Sequence, residues 1–298
     1  MYALTLRACE DRPLPMDRPG LTTILVVGDS FTFGWGVEEG QRYSEALERT
    51  FASYGSVRVV NAGHWMYSFD QQLLVLHELV PQLRPRMVIQ GLYPPHVLTL
   101  MSHAWERDAR GRLRAVRNKE VRVAPNGALR STNEQLESPP FRSQLMGDVF
   151  RIWYNWRLSR EGMTGDLGLL DPEVQRFSLA WRMCKATIEE TAAYLRTERV
   201  DYVAFGIPRD LQVSSDEWTD SYREAVKGRF LDLELPTRRM GEIVKGADGA
   251  WVDLLPAFRK GYRPNLYFTH DPHWTPEGHA LAAEVLAPFV KARLGPAK

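Results

Sequence analysis

A serine stands where an apolar run of the sequence gives way to a turn. The run Ile24 to Val27 is followed by Gly28 and Asp29, and then by Ser30. Because both faces of this run are apolar, it is typical of a buried strand in a parallel sheet. Serine is a poor nucleophile at its own pKa, so Ser30 can attack a carbonyl only if a general base lies within hydrogen-bond reach.

The best candidate for that base is His273, in the histidine-rich segment 270–279 near the end of the sequence. Pro272 has a fixed φ and favours an extended conformation for Asp271. Side chains two residues apart in an extended chain point to the same side, so Asp271 can approach the ring of His273. A carboxylate that orients a histidine, which in turn takes a proton from a serine, would activate that serine. His270 is a weaker candidate because its side chain should point away from Asp271.

Five short apolar runs alternate with segments of helical periodicity. The runs are 24–27, 57–60, 87–89, 202–207 and 251–254. This alternation predicts a parallel sheet with helices on both faces. Ligands of such sheets bind at the carboxyl ends of the strands, which is where Ser30 is expected. Ser68 and Gln71 have the spacing of a capping box and predict the start of a helix.

The motifs resemble a known family when they are taken in order. They are Gly-Asp-Ser at 28–30, Asn-Ala-Gly at 61–63, Asp-Pro-His-Trp at 271–274 and Gly-His at 278–279. Together they resemble the SGNH/GDSL hydrolases, an α/β group of esterases, lipases, thioesterases and carbohydrate deacetylases. The resemblance extends from about residue 22 to residue 290, and the middle of the chain matches poorly.

The resemblance implies a fold, a set of roles and a substrate class. The expected fold is α/β, a flavodoxin-like three-layer α/β/α domain with a mostly parallel five-stranded sheet. Residues 1–298 would form this one domain, with an insertion at about 98–180. Ser30 would be the nucleophile, His273 the general base and Asp271 its orienting carboxylate. No cofactor is implied, and the substrate would be a carbohydrate or small-molecule acyl ester.

Two departures from the family concern the oxyanion hole, the set of donors that stabilises the negative oxygen of the tetrahedral intermediate. The family has a second glycine after Gly63, and this sequence has Met66 there, whose backbone N–H can still donate. The asparagine that the family has after its third strand is absent. His96 lies beside the vacated position and could donate instead. One such donor is typically worth about 2.7 to 4 kcal/mol. His64 and Trp65 could line the pocket or be buried against the second helix.

Three functions remain open on the sequence. The first is a serine esterase that works through an acyl-Ser30 intermediate. The second is an O-acyltransferase, in which a sugar or natural-product hydroxyl takes the acyl group, because the Asp-x-His-Trp form resembles the O-acetylation branch of the superfamily. The third is a catalytically silent binding protein that keeps the fold.

The middle of the sequence has a different composition. Residues 107 to 122 are rich in arginine, with apolar residues in alternation, which predicts a ribbon of strands. Such a ribbon could bind an anion or a partner, but a solvated hairpin is the more common case. Residues 150–156 contain four aromatic side chains, which could cover a pocket or, more simply, anchor the insertion to the core.

The composition excludes several classes of protein. The chain has 298 residues, 38 Lys and Arg against 37 Asp and Glu, and 44% hydrophobic residues, values typical of a globular protein with a large core. A net charge of +1 argues against a nucleic-acid partner. The seven histidines form no metal-binding pattern.

Cys9 and Cys184 form no redox motif, although a disulfide between them is not excluded. With neither a signal peptide nor a membrane span in the sequence, a cytoplasmic location is expected. The oligomeric state is left open.

Overall fold

The computed structural model describes most of the chain. The described residues are 20–54, 56–100, 105–107, 113–115, 119–123, 129–135, 167–171, 178–215, 218, 220–228, 230–262, 265–269 and 271–295. Cys9, His270 and the aromatic segment 150–156 lie outside them, so the expectations about these residues stay expectations.

Strands and helices alternate along the described residues. The strands are β1 (Thr22–Val27), β2 (Val57–Asn61), β3 (Met87–Leu92), β4 (Trp105–Arg107), β5 (Leu113–Ala115), β6 (Lys119–Val123), β7 (Leu129–Gln135), β8 (Asp201–Gly206), β9 (Ala250–Asp253), β10 (Tyr267–Phe268) and β11 (Asp271–Trp274). The α-helices are α1 (Ser30–Phe33), α2 (Tyr43–Thr50), α3 (Phe69–Leu83), α4 (His96–Thr99), α5 (Ser178–Thr197), α6 (Asp210–Val213), α7 (Asp220–Ala225), α8 (Leu235–Gly246), α9 (Leu255–Lys260) and α10 (Pro276–Leu294).

The central sheet has five strands in the order β2, β1, β3, β8, β9. All four pairings between neighbouring strands are parallel. The five apolar runs of the sequence are the five strands, with ends that differ by at most three residues. The expected α/β class, with a five-stranded sheet between layers of helices, is confirmed.

Strand β1 shows why the sheet is buried on both faces. Leu25 and Val27 pack into the hydrophobic layer that contains residues of α3, α5 and α8. Ile24 and Val26 point the other way, into the layer that contains residues of α2, α9 and α10. Alternate side chains of a strand point to opposite faces, so a continuous apolar run serves both helical layers.

The ends of two helices form as the sequence predicts. Ser68 and Gln71 make a capping box at the start of α3, in which the Ser68 backbone N–H donates to Gln71 Oε1 at 3.1 Å. At the start of α10, Thr275 Oγ1 accepts a hydrogen bond from the Gly278 N–H at 3.4 Å, and Pro276 is the first helical residue. These local bonds satisfy N–H groups that have no partner within the helix.

Two antiparallel ribbons lie between α4 and α5. Strand β4 pairs with β5, and β6 pairs with β7. They include parts of the arginine-rich stretch, for which the sequence predicts a ribbon. The assignment of residues 98–180 to an inserted subdomain stays a prediction.

Two further observations concern the remaining expectations from the sequence. Within the described ranges, no helix combines the length and the apolar character needed to cross a bilayer. Cys184 is buried, and burial raises the pKa of its thiol to about 12.

His279 makes the stability of the fold sensitive to acid. It is buried beneath α2, and its Nδ1 accepts a hydrogen bond from the Tyr43 N–H at 3.4 Å. Burial, together with the positive charges of Arg42 and His273, lowers the pKa of His279 from 6.5 to about 3. The folded protein therefore keeps this ring neutral, whereas the unfolded chain takes up a proton below pH 6.5.

The free energy of unfolding should consequently fall as the pH drops from 6.5 towards 3. Between about pH 7 and about pH 5 the contribution of this ring is about 2 kcal/mol. Urea unfolding of the wild type and of His279→Gln, which keeps an acceptor for Tyr43, measures it. The difference in stability between the two should shrink by that amount at the lower pH. An unchanged difference would mean that His279 titrates normally in the folded state.

Candidate active site

Ser30 occupies the sharp turn between β1 and α1. Asp29 caps α1, because its Oδ1 accepts a hydrogen bond from the Phe31 N–H at 3.0 Å. The turn is so tight that a Cβ on Gly28 would come within 2.0 Å of Thr32 Oγ1. Only glycine fits before this turn, which places Ser30 at the carboxyl end of β1.

The hairpin of β10 and β11 carries the other two candidate catalytic residues. Trp274 is buried and its ring packs 5.1 Å from that of Phe31, which anchors β11 to the turn after β1. Asp271 and His273 lie two residues apart on this strand and share its opposite face. The sequence predicts this alternation from Pro272.

The three side chains form a continuous hydrogen-bonded arrangement, called here the Ser–His–Asp arrangement. His273 Nε2 lies 2.7 Å from Ser30 Oγ, and the two residues are 243 positions apart in the sequence. His273 Nδ1 lies 2.5 Å from Asp271 Oδ1, which also accepts a hydrogen bond from the His273 backbone N–H at 2.9 Å. These contacts leave Nε2 directed at the hydroxyl, the geometry that proton transfer requires.

The environment of Asp271 favours its ionised form. Partial burial raises the pKa of this carboxyl, but other contacts outweigh it. They are the hydrogen bonds from the backbone and the ring of His273, the positive charge of that ring when protonated, and a hydrogen bond from Trp35. The pKa of Asp271 consequently lies below its ordinary value, so a carboxylate is available to orient His273.

The loop after β2 is tied closely to the turn that holds Ser30. Asn61 Nδ2 donates to Thr32 O and to Ser44 Oγ, both at 2.7 Å, while its Oδ1 accepts from the Gly63 N–H at 2.9 Å. A Cβ on Gly63 would come within 2.4 Å of Phe33 N. The Gly63 N–H is therefore engaged with Asn61, and the glycine allows the two loops to touch.

Met66 has the backbone conformation of a glycine. Its φ is +63°, which lies in the left-handed region. Residues other than glycine, asparagine and aspartate rarely adopt this backbone conformation. The family that the sequence resembles has a glycine at this position, and glycine adopts such a φ freely. The Met66 side chain is 57% exposed.

This conformation predicts an unusual order of stabilities at position 66. Met66→Val should lower the free energy of unfolding by about 1 kcal/mol, because β-branched side chains fit the left-handed region worst. Met66→Gly should not lower it, because glycine adopts this φ freely. Urea unfolding of the two variants and the wild type gives the comparison.

Trp65 provides the matched control, because it is exposed but is not among the described residues with positive φ. There the glycine variant should be less stable than the valine variant, because glycine loses more conformational entropy on folding. The same order at both positions would contradict the assignment of backbone strain to Met66.

His96 lies beside Asp29. Its Nε2 is 3.0 Å from Asp29 Oδ2, and its Nδ1 is 3.5 Å from Thr99 Oγ1. Both Asp29 and His96 are buried. The ring thus holds the residue that precedes the nucleophile.

Two tryptophans flank the Ser–His–Asp arrangement on its exposed side. The Trp35 and Trp65 rings stack with centroids 5.5 Å apart and planes inclined by 16°. Trp35 also lies 6.2 Å from the His273 ring. Trp65 is 53% exposed, so it is not buried against a helix, and the neighbouring His64 stacks on Tyr67 instead. Trp35 is a residue of the site that the motifs do not predict, although its position between two glycines just after Ser30 is a usable signal.

The fold of the chain is shared with known hydrolases. The structure titled lipase/acylhydrolase from Enterococcus faecalis is 14% identical and matches with a TM-score of 0.50 over 93% of this chain and 100% of that chain. LAE5, titled an alpha/beta hydrolase enzyme from the metagenome of Lake Arreo, Spain, is 12% identical and matches with a TM-score of 0.50 over 92% of this chain and 97% of that one. No protein-family model and no curated protein matches the sequence. At these identities the likeness concerns the fold, and the chain has the three-layer α/β/α hydrolase fold that its resemblance to the SGNH/GDSL hydrolases implies.

Proposed function

We propose that this protein is a serine-dependent hydrolase of acyl esters. The observation that carries the proposal is the unbroken line of hydrogen bonds from Ser30 Oγ through the ring of His273 to the carboxylate of Asp271. A nucleophile, a base and an orienting acid in these positions are the three parts that acyl transfer to serine needs.

The first half of the reaction forms an acyl enzyme. Ser30 Oγ attacks the ester carbonyl carbon while His273 Nε2 takes the hydroxyl proton. The tetrahedral intermediate then breaks its bond to the alcohol oxygen, which receives that proton from Nε2 and leaves as the free alcohol. Asp271 stabilises the imidazolium that exists between these two proton transfers.

The second half releases the acid. Nε2 takes a proton from a water molecule, whose oxygen attacks the acyl carbon. The bond to Ser30 Oγ breaks and the serine recovers its proton from Nε2. Every proton and electron pair is accounted for by the substrate, water and these side chains, so the mechanism invokes no cofactor.

The backbone N–H groups of Ser30 and Met66 are the proposed oxyanion donors. The left-handed conformation of Met66 supports this, because it keeps the loop on the path that a glycine would give it. The Gly63 N–H donates to Asn61 Oδ1, so it is not proposed as an oxyanion donor. Gly63 contributes through its close contact with the turn of Ser30. The contact between His96 and Asp29 favours a positioning role for His96, which fixes the residue before the nucleophile.

Labelling with a fluorophosphonate tests the proposal. Such a probe forms a stable bond only with an activated serine, so the wild type should be labelled and Ser30→Ala should not. Equal labelling of the two proteins, or an absence of labelling in the folded wild type, would overturn the proposal and favour a silent binding protein.

The same preparation separates hydrolysis from acyl transfer. The products of a short-chain ester are compared with and without an added alcohol as acceptor. Free acid as the main product under both conditions supports the esterase. If the main product is instead a new ester of the added alcohol, the protein is an O-acyltransferase that uses the same side chains, and the esterase proposal is wrong.

A further inference from the structure

Exposed hydrophobic side chains are concentrated beside Ser30. Five large hydrophobic residues are exposed within the part of the chain that the structure describes. Three of them lie on the two loops next to the Ser–His–Asp arrangement, namely Trp35 (41% exposed), Trp65 (53%) and Met66 (57%). Single exposed hydrophobic residues are ordinary, whereas a cluster of them beside polar residues marks a binding surface.

The cluster begins at the Ser–His–Asp arrangement and continues outward. The Trp35 ring lies 6.2 Å from the His273 ring, and Trp35 is one of the groups that lower the pKa of Asp271. Trp65 stacks on Trp35, with centroids 5.5 Å apart. Stacked rings touch at about 3.5 Å, so these two are displaced sideways by about 4 Å. Each indole therefore keeps part of a face uncovered.

The loop that carries Trp35 is held firmly in place. Gly34 and Gly36, on either side of it, have φ values of +86° and +82°. A Cβ on Gly34 would come within 2.4 Å of the Arg42 side chain, and one on Gly36 within 2.8 Å of the Phe268 ring. Phe268 is paired with Asp271 across the hairpin. The backbone that presents the indole is thus packed closely on both sides of Trp35.

The chemistry of the surface selects among ester substrates. A long acyl chain gains about 0.8 kcal/mol for each methylene that is fully buried, but an open stack covers a chain on one side only. An anionic head group would be repelled by the carboxylate of Asp271, which contacts the His273 ring beside Trp35. A pyranose ring has a face of C–H bonds that fits an indole and a rim of hydroxyl groups that stays hydrated.

We propose that the stacked indoles of Trp35 and Trp65 bind sugar rings, and that the ester which reaches Ser30 is an O-acyl group on such a saccharide. The proposal rests on the esterase function above and names its substrate class. The sideways displacement of the indoles gives each of two neighbouring sugar units its own contact. A disaccharide should consequently bind more tightly than the corresponding monosaccharide.

The kinetic test compares two substrates in two variants. The substrates are mono-O-acetyl cellobiose and ethyl acetate, which lacks a ring. Trp65→Ala should lower the ratio of their kcat/KM values about tenfold, mainly through a higher KM for the saccharide. Phe230→Ala removes an aromatic side chain that is 77% exposed elsewhere and should leave the ratio unchanged. An unchanged ratio in Trp65→Ala would overturn the proposal.

A binding test separates this proposal from the esterase proposal. Calorimetric titration of Ser30→Ala with cellobiose, xylobiose, chitobiose and maltose needs no turnover. Binding of at least one disaccharide, weakened about tenfold or more by an added Trp65→Ala change, supports the sugar surface even if no ester is hydrolysed. If the wild type hydrolyses ethyl acetate but Ser30→Ala binds none of the four disaccharides, the esterase proposal is supported and the proposal of a sugar-binding surface is overturned. Near-ultraviolet circular dichroism of each variant checks that the aromatic core remains folded.

Discussion

Ser30→Ala is expected to lower kcat/KM for ester hydrolysis by about 10³-fold or more. The hydroxyl that His273 Nε2 contacts at 2.7 Å is the atom that bonds to the acyl group, and alanine has nothing to replace it. Loss of the nucleophile in such arrangements costs up to about 10⁶-fold in turnover, with residual catalysis from the oxyanion donors and substrate binding. Initial rates with a short-chain ester over a range of concentrations measure the effect.

The fold should not change in this variant. Ser30 is small, and its replacement keeps the capping of α1 by Asp29, so the denaturation midpoint should remain close to that of the wild type. Ser56→Ala is the matched control. Ser56 precedes β2, so it lies at the amino ends of the parallel strands, whereas Ser30 lies at their carboxyl ends. Retention of more than about a tenth of the activity by Ser30→Ala would remove Ser30 from the mechanism.

Asp271→Asn should lower kcat by about 10⁴-fold with little change in the fold. Asp271 Oδ1 contacts both the backbone N–H and the ring Nδ1 of His273. If the asparagine amide nitrogen takes that position, it donates to Nδ1 and places the ring proton on Nε2, so the ring cannot take the proton of Ser30. If the carbonyl oxygen takes it, both hydrogen bonds remain, but the negative charge that stabilises the imidazolium is lost. The measurement is kcat at saturating ester, alongside the denaturation midpoint.

Asp253→Asn gives the comparison for this variant. Asp253 is also a carboxylate at the carboxyl end of a strand, where it accepts a hydrogen bond from the Leu255 N–H at 3.0 Å, and asparagine can keep that bond. Its replacement should leave kcat unchanged. A fall of less than about tenfold in Asp271→Asn would mean that Asp271 does not set the tautomer of His273.

The parts of the fold that depend on local sequence could be predicted. The run Ile24 to Val27 is apolar on both faces, and Ser68 and Gln71 have the spacing of a cap, so the strand and the start of the helix follow from near neighbours alone. The position of Ser30 at the carboxyl end of β1 could also be anticipated, because ligands of parallel sheets bind there. His273 lies on the separate antiparallel hairpin of β10 and β11, so its approach to Ser30 does not follow from the order of the strands.

Contacts between distant loops could not be predicted in the same way. The sequence makes His96 a candidate oxyanion donor because it stands near a vacated position. Its ring is instead directed at Asp29, a pairing across 67 residues that depends on how Pro94 and Pro95 end β3 and turn the chain into α4. The stack of Trp35 on Trp65 likewise joins two loops that only the folded sheet brings together.

The separation of 243 residues between Ser30 and His273 has a consequence for refolding. The contact closes a loop that includes nearly the whole chain, and contacts of such long range form late because their entropic cost must first be offset by the rest of the fold. Strand β11 can meet the turn after β1 only once the five-stranded sheet exists as a surface for the hairpin. In a refolding experiment, catalytic activity would therefore return after the helical signal, and its recovery would time the last step of assembly.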